Sequence, residues 1–417
     1  MVNLASKFAI IGVVFVGILY QFLFKTLIFD VLGYGRKINS LKDYSNVRCE
    51  KIDDLGLEAC EDMWLHQKTG FLYMACSSSQ SRQEWLPAFS IDHLNNTGRL
   101  LKDRVAVLDT RGSGSVASRL KWLSLEQFSG SSGDLALNLH GLDILEDKHT
   151  DTLRILLVNH RPPIDPRTGN HLDATLVGAN STIEQFQTKA GSSTMRHART
   201  YFNEAIQTPN RVSWVNDHSF VFTNDHSAKV GLRRRLDLVI GGGNVAFCSR
   251  NSCNIAYSSG FNFPNGLVRG RDGLIYVPST VGMKIDVFSL SEDHKLHLVH
   301  TIKSPLGLDN LSVDGDGNIF AAGFPALHNW NKATKDPFNI NPESTVLKIR
   351  RDGKGYQGAS RKAHVEKWND GNYVVEKVFE DNNGVLPGAT IAIHDSETGR
   401  FFLGGAFSPF ITICETR

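Results

Sequence analysis

The chain has 417 residues, with 45 Lys and Arg against 43 Asp and Glu, a formal charge of +2, 41% hydrophobic and 21% charged residues. That balance excludes a nucleic-acid binder acting through a broad basic field, and it excludes a disordered polyelectrolyte. The length exceeds the roughly 250–300 residues at which one compact core stops growing, so two domains or one repetitive architecture, such as a barrel or propeller, is required.

In chain order the first element is an apolar run from Phe8 to Phe24, broken only by Gln21. It sits at the short edge of what spans a bilayer as a helix. The run ends in Phe22, Leu23, Phe24 and Lys25 with no small-residue cleavage signal close behind, so it reads as a signal-anchor or uncleaved signal. Residues 1–40 are therefore assigned to an N-terminal membrane segment and linker, and 41–417 to one folded domain. That domain is expected in the secretory pathway, membrane-anchored with its body lumenal or extracellular, or secreted. Six cysteines, Cys49, Cys60, Cys76, Cys248, Cys253 and Cys414, suggest disulfides in that compartment. Cys60 and Cys76 flank an expected hairpin, Cys248 and Cys253 are close enough for a local loop, and Cys49 with Cys414 would close a very long one. The sequence leaves the pairing open. Sequons at Asn95 and Asn180 agree with glycosylation on the same side of the membrane.

After Cys49 a strand–turn–strand pattern recurs six times: ACEDMWLHQKTGFLYMACSS, LHGLDILEDKHTDTLRILLVNH, NRVSWVNDHSFVFTND, PNGLVRGRDGLIYVPST, DNLSVDGDGNIFAAG and GATIAIHDSETGRFFLGGAF. Turn residues such as Arg271-Asp272-Gly273 and Asp316-Gly317-Asn318 separate the strands. The pattern predicts an all-β fold, a six-bladed β-propeller behind an N-terminal hydrophobic helix. Two insertions, Gly112 to Gly133 and Lys229 to Gly243, read as loops over one face, with Arg233 to Arg235 a solvated charge run or, since LRRRLDLVI is amphipathic, a membrane-headgroup contact. In a propeller the polar residues preceding the inner strands converge on the axis. Here they are Glu61-Asp62, His140, Asn210, Asn265, Asp309-Asn310 and Thr390. Carboxylate and amide oxygens are hard ligands suited to Ca²⁺, and ill suited to zinc. Asn310-Leu311-Ser312 is also a sequon, but its side chain is expected to point inward. No G-x-S-x-G elbow is present, and Gly241-Gly242-Gly243 lacks the context of a phosphate loop.

The segments CED, NLHGLDIL, LLVNHRP, FTNDH, GFNFPNGL, LDNLSVD and GATIAI, spread between Cys49 and Cys414, resemble the paraoxonase/arylesterase family of calcium-dependent lactonases and esterases. The resemblance implies that Glu61, Asn210, Asn265, Asp309 and Asn310 hold a catalytic calcium. It implies that His140 and His160 are a pair in which one activates water and the other supports it, and that Cys49 and Cys414 form the closing disulfide. Two departures stand out. The family has an acidic residue after the ligand asparagine, helping Asp62 and the Leu142 carbonyl to hold a second, structural calcium; this chain has Arg211. A cation there is expected to repel the ion and pair with Asp62 instead. Phe324-Pro325 replaces a His-Pro at an active-site wall.

The expected function is calcium-dependent hydrolysis of aryl esters or lactones, small-molecule substrates, with no nucleic-acid partner. The alternatives are a non-catalytic propeller braced by calcium, serving as a binding module, and a related propeller acting as a condensing enzyme, for which the full calcium set would be unnecessary.

Overall fold

Runs rich in Val, Ile, Leu and Phe, cut by tight turns, form short antiparallel strands because branched and aromatic side chains pack well on a pleated surface. A computed structural model describes residues 4–130, 136–147, 149–352, 366–369, 371–382 and 384–416. The strands assemble into six sheets of four or five strands each. These are the blades of a β-propeller, numbered I to VI by their inner strands: Glu58–His66, Leu139–Glu146, Pro209–Asn216, Val268–Arg269, Gly307–Val313 and Ile391–Asp395. Each of the six recurring sequence units forms the inner hairpin of one blade.

The apolar core lies between neighbouring blades and not at the centre. Tyr201, Trp214, Phe220 and Phe222, for example, pack with Leu156 and Val158 where blade II meets blade III. Each fully buried aromatic or aliphatic side chain contributes about 1.5–3 kcal/mol. Distributing the core among blade interfaces is how one domain accommodates this length, and it leaves the axis free for polar groups. Blade VI is closed by the N-terminal strand Val47–Ile52, which pairs antiparallel with Ile411–Thr416 and sets Cys49 opposite Cys414. Those cysteines form a disulfide, as do Cys60–Cys76 and Cys248–Cys253.

Two expectations are corrected here. The insertion at Gly112 is not simply a loop: as far as residue 130 it forms the short helix Val116–Arg119 and the strands Leu120–Trp122 and Ser124–Glu126. The latter crosses to extend blade II by parallel pairing, while 131–133 lie outside the described residues. The second insertion folds as the helix Gly231–Ile240. Its Arg234 and Asp237 are buried, bonded to Pro87 O, Lys229 O and Ser227, while Arg233 and Arg235 stay exposed and Leu232, Val239 and Ile240 also face outward. The N-terminal run forms the helix Leu4–Leu19, of 16 residues, followed by wider helical turns. No helix among the described residues is long and apolar enough to cross a membrane.

Candidate active site

Residues of a regular strand alternate between its two faces, so consecutive side chains cannot both point along the axis. The inner strands escape this by bulging. In blade II, His140 and Gly141 oppose one residue of the next strand; in blade III, Asn210 and Arg211 do so; in blade V, Asp309 and Asn310. Blade I has the largest excursion, with Ala59, Cys60 and Glu61 facing Cys76 alone. A bulge re-aims side chains locally and ends the regular ladder. The predicted site residues of these four blades thus sit at irregular positions that turn them inward. Asn265 lies ahead of the short inner strand of blade IV, its backbone N–H bonded to Pro278 O. Gly266 next to it has no side chain to give: a Cβ there would overlap the Asn310 amide oxygen.

The structure brings Glu61, Asn210, Asn265, Asp309 and Asn310 into the buried axis. Glu61 Oε1 accepts from Asn310 Nδ2 at 2.7 Å, Thr390 Oγ1 donates to Glu61 O at 2.9 Å, and Asn265 Nδ2 donates to Thr280 Oγ1 at 3.1 Å. Four acceptors remain without a hydrogen-bond partner: Glu61 Oε2, Asn210 Oδ1, Asn265 Oδ1 and Asn310 Oδ1. A buried acceptor left unsatisfied costs about 1–3 kcal/mol, so each of the four calls for an electropositive partner. Burial raises the Glu61 carboxyl pKa, and it raises that of Asp309 well above its usual range, with repulsion from Glu61 and Asp62 adding to it. Among the described residues no three or more His, Cys, Asp and Glu group as a metal cluster. The donors here are two carboxylates and three carboxamides, an all-oxygen set that fits a hard divalent cation.

A second cation lower on the axis does not fit. Asp62 Oδ2 accepts from Arg211 Nε at 2.8 Å and from Leu142 N at 2.7 Å, and Oδ1 accepts from Met63 N at 2.9 Å. What Leu142 turns toward Asp62 is an N–H donor, which cannot ligate a metal ion. The Arg211 guanidinium also donates to the carbonyls of Leu311 and Leu267. The acceptors of this layer are already taken by a protein cation.

His140 and His160 meet edge to face, with ring centroids 5.2 Å apart. His140 Nε2 lies 3.6 Å from Glu61 Oε1, and neither of its ring nitrogens has a hydrogen-bond partner. His160 Nδ1 bonds Ser181 Oγ at 2.9 Å, which leaves Nε2 unpaired. Burial pushes His140 down to about 3, with Arg82 adding to the effect and Asp225 opposing it. His160 is also well below its usual value, by burial and by the charges of His140, Arg82 and Arg234. Both imidazoles are therefore neutral, the form that accepts a proton. Trp85 Nε1 donates to His160 O at 2.8 Å, and a small cavity beside His160 is lined by Pro87, Ser181, Thr208, Lys229 and Arg234.

Sequence reasoning overlooked Arg82 and the Asp225–His226 pair. Arg82, on the helix Ser79–Glu84, is buried with its charge acting on Glu61 and both histidines. Asp225 Oδ1 lies 2.6 Å from His226 Nδ1 inside the FTNDH segment. The segment was a visible signal; nothing in it announced contact with the site. Phe324 is buried against Trp330 at 4.9 Å between ring centroids, in an apolar cluster with Leu86 and Phe407.

The family model described as Arylesterase matches residues 121–407. The chain belongs to the arylesterase family. Serum paraoxonase/arylesterase 1 of Mus musculus is 25% identical over 288 residues, 67% of this chain and 69% of that one. Serum paraoxonase/arylesterase 2 of Homo sapiens is 26% identical over 277 residues, 65% and 67% of the two chains. Among solved structures, a luciferin-regenerating enzyme aligns with TM-score 0.48 and 10% identity, covering 88% of this chain and 95% of that one. Family membership supports a hydrolase of esters or lactones, and the disulfides fit the secretory pathway.

Proposed function

We propose that this chain is a calcium-dependent hydrolase of aryl esters, lactones or both, with its cation held by Glu61, Asn210, Asn265, Asp309 and Asn310. The observation that carries the reading is the set of four unsatisfied buried oxygens at the starts of the inner strands, with Glu61 3.6 Å from His140 of a histidine pair. Bound there, Ca²⁺ supplies the positive charge that polarises a carbonyl and stabilises the oxyanion formed on attack. His140, neutral and with its ring nitrogens free of protein partners, takes the proton from the attacking water. His160 is fixed by Ser181 through Nδ1 and supports His140 from the edge of its ring. Burial of both rings keeps them from bulk water and unprotonated.

Asn95 is exposed and Asn180 half-exposed, which makes both sequons accessible to glycosylation, whereas Asn310 is buried on Glu61. The N-terminal apolar helix, with Phe8, Ile11, Val13 and Phe15 exposed, serves as the targeting segment or membrane contact. The test is hydrolysis of phenyl acetate and a panel of lactones with and without a calcium chelator. Turnover abolished by chelation supports the proposal. No turnover on any substrate, with His140→Gln without effect, leaves the propeller as a calcium-braced binding module.

A further inference from the structure

Glu61 sits at the end of the largest bulge on the axis, and that bulge carries a feature the other three lack. Ala59, Cys60 and Glu61 together face a single residue, Cys76. Cys60 and Cys76 are joined by a disulfide, directly across the irregularity. The bulge is conformationally demanding, since Ala59 has φ 44° in the left-handed region, which disfavours residues with a Cβ. Such a conformation persists only when its surroundings over-determine it.

The clamps around it are visible. Ala59 N donates to Ser408 O at 2.7 Å, and Ser79 N donates to Glu58 Oε2 at 3.2 Å. Blade VI closes onto the Cys60 carbonyl, where Gly404 stands because a Cβ would overlap that oxygen. In blades II, III and V two residues oppose one, and no disulfide crosses the bulge. The longest excursion is the one that is cross-linked.

We propose that the Cys60–Cys76 disulfide positions Glu61 for cation binding. The proposal rests on the calcium reading above and adds a residue pair to it. Cys60 is adjacent to Glu61, so its link to the second strand of blade I fixes the backbone from which the carboxylate projects. The bond joins strands that already pair from Asp62 to His66, so it is not needed to bring them together. Closure of the whole fold belongs to Cys49–Cys414 in blade VI. Both sulfurs belong to residues at 0% and 1% exposure, out of reach of a thiol unless the blade opens. The link is therefore a permanent brace and not a redox switch.

The test compares Ca²⁺ binding by calorimetry in wild type, Cys60→Ala/Cys76→Ala, and Cys248→Ser/Cys253→Ser as the control for losing a disulfide elsewhere. The expected result is binding weakened at least tenfold in the first variant and within twofold of wild type in the control. Activity lost by Cys60→Ala/Cys76→Ala at low Ca²⁺ returns when Ca²⁺ is raised. Unchanged affinity in that variant, or equal weakening in both, overturns the proposal. If the variant does not fold, reduction of the wild-type chain decides by reciprocity: Ca²⁺ slows dithiothreitol-dependent alkylation at Cys60 and Cys76 at least tenfold and leaves Cys248 and Cys253 unaffected. Equal labelling with and without Ca²⁺ overturns it. A wild-type chain that binds no Ca²⁺ overturns the metal reading, and this proposal with it; binding without the difference overturns this proposal alone.

Discussion

Arg211 Nε donates to Asp62 Oδ2 at 2.8 Å on the propeller axis, with the two side chains 4% and 0% exposed. Through its partners this pair touches five inner strands or their entries. Asp62 belongs to blade I and accepts from Leu142 of blade II; Arg211 belongs to blade III and donates to Leu267 at the entry to blade IV and Leu311 of blade V. Arg211 also lines a cavity of about 220 Å³ together with Asp143, Trp214 and Arg271. The guanidinium is thus a hub that ties these elements together around the Asp62 carboxylate.

Removing one partner of a buried ion pair leaves an uncompensated charge, which costs about 3–5 kcal/mol. Arg211→Met is therefore expected to lower unfolding free energy by that order, measured by urea denaturation. Wild-type protein is expected to hold one Ca²⁺ per chain by elemental analysis. Arg211→Asp, which turns the cation into a carboxylate beside Asp62, is expected to gain a second. Two ions bound to wild type would show that the pair does not close this layer.

A cation in the proposed site would compete with protons for Glu61 and Asp309. Burial raises Glu61 and Asp309, so without a cation both bind protons at pH values where ordinary carboxylates are ionised. Asp62 is lifted to about 7, burial outweighing the opposing pull of Arg211. The sign follows by linkage: between an unfolded value near ~4 and the raised folded values, the native state holds more protons. These groups therefore make the cation-free fold less stable as pH rises through that window. A cation held by Glu61 and Asp309 would have to displace those protons, so its affinity is expected to rise with pH and fall on acidification. Calorimetry near neutral pH in two buffers of different ionisation enthalpy should detect net proton release on binding. An identical heat in both would contradict the raised carboxyls.

The disulfides should differ in worth according to the loops they close. In the chain-entropy model, Cys49–Cys414, with a sequence separation of 365, contributes on the order of 5 kcal/mol. Cys248–Cys253, separated by 5, contributes about 2 kcal/mol. Cys49→Ser/Cys414→Ser should thus lower the unfolding midpoint more than Cys248→Ser/Cys253→Ser does. Because the first pair also seals strand Val47–Ile52 onto blade VI, hydrogen exchange should rise earliest in that blade.

The blades were legible because each inner hairpin repeats locally: apolar strand, turn, apolar strand, as in Ile391–Asp395 and Arg400–Gly404. The buried polar residues Glu61, Asn210, Asn265, Asp309 and Asn310 were legible as candidates because they recur at one phase of that repeat. Arg82 was not, since its approach to Glu61 and the histidines depends on a short helix docking over the channel, a long-range event with no local period. Helix Gly231–Ile240 was missed for a related reason. Its inward residues include Arg234 and Asp237, so the usual apolar-inside pattern is inverted. The bulges were also invisible, because a sequence shows residue order and not the register in which two strands pair.

His140 separates catalysis from construction. Both ring nitrogens lack hydrogen-bond partners in the protein, so His140→Gln removes no structural bond while deleting the proton acceptor. The expected loss in kcat is about 10²–10⁴-fold, the usual scale of general-base catalysis, with Ca²⁺ stoichiometry unchanged. Ser181→Ala should cost less, since it frees His160 Nδ1 without touching His140. Because burial holds His140 near 3, its protonation should not produce an acid limb near its ordinary value. With Ca²⁺ saturating at every pH, kcat/KM between pH 6 and 8 should show no inflection assignable to an ordinary imidazole. An inflection near ~6.5 that disappears in His140→Gln would mean that the ring is solvated during turnover, and that the channel opens to water before the chemical step.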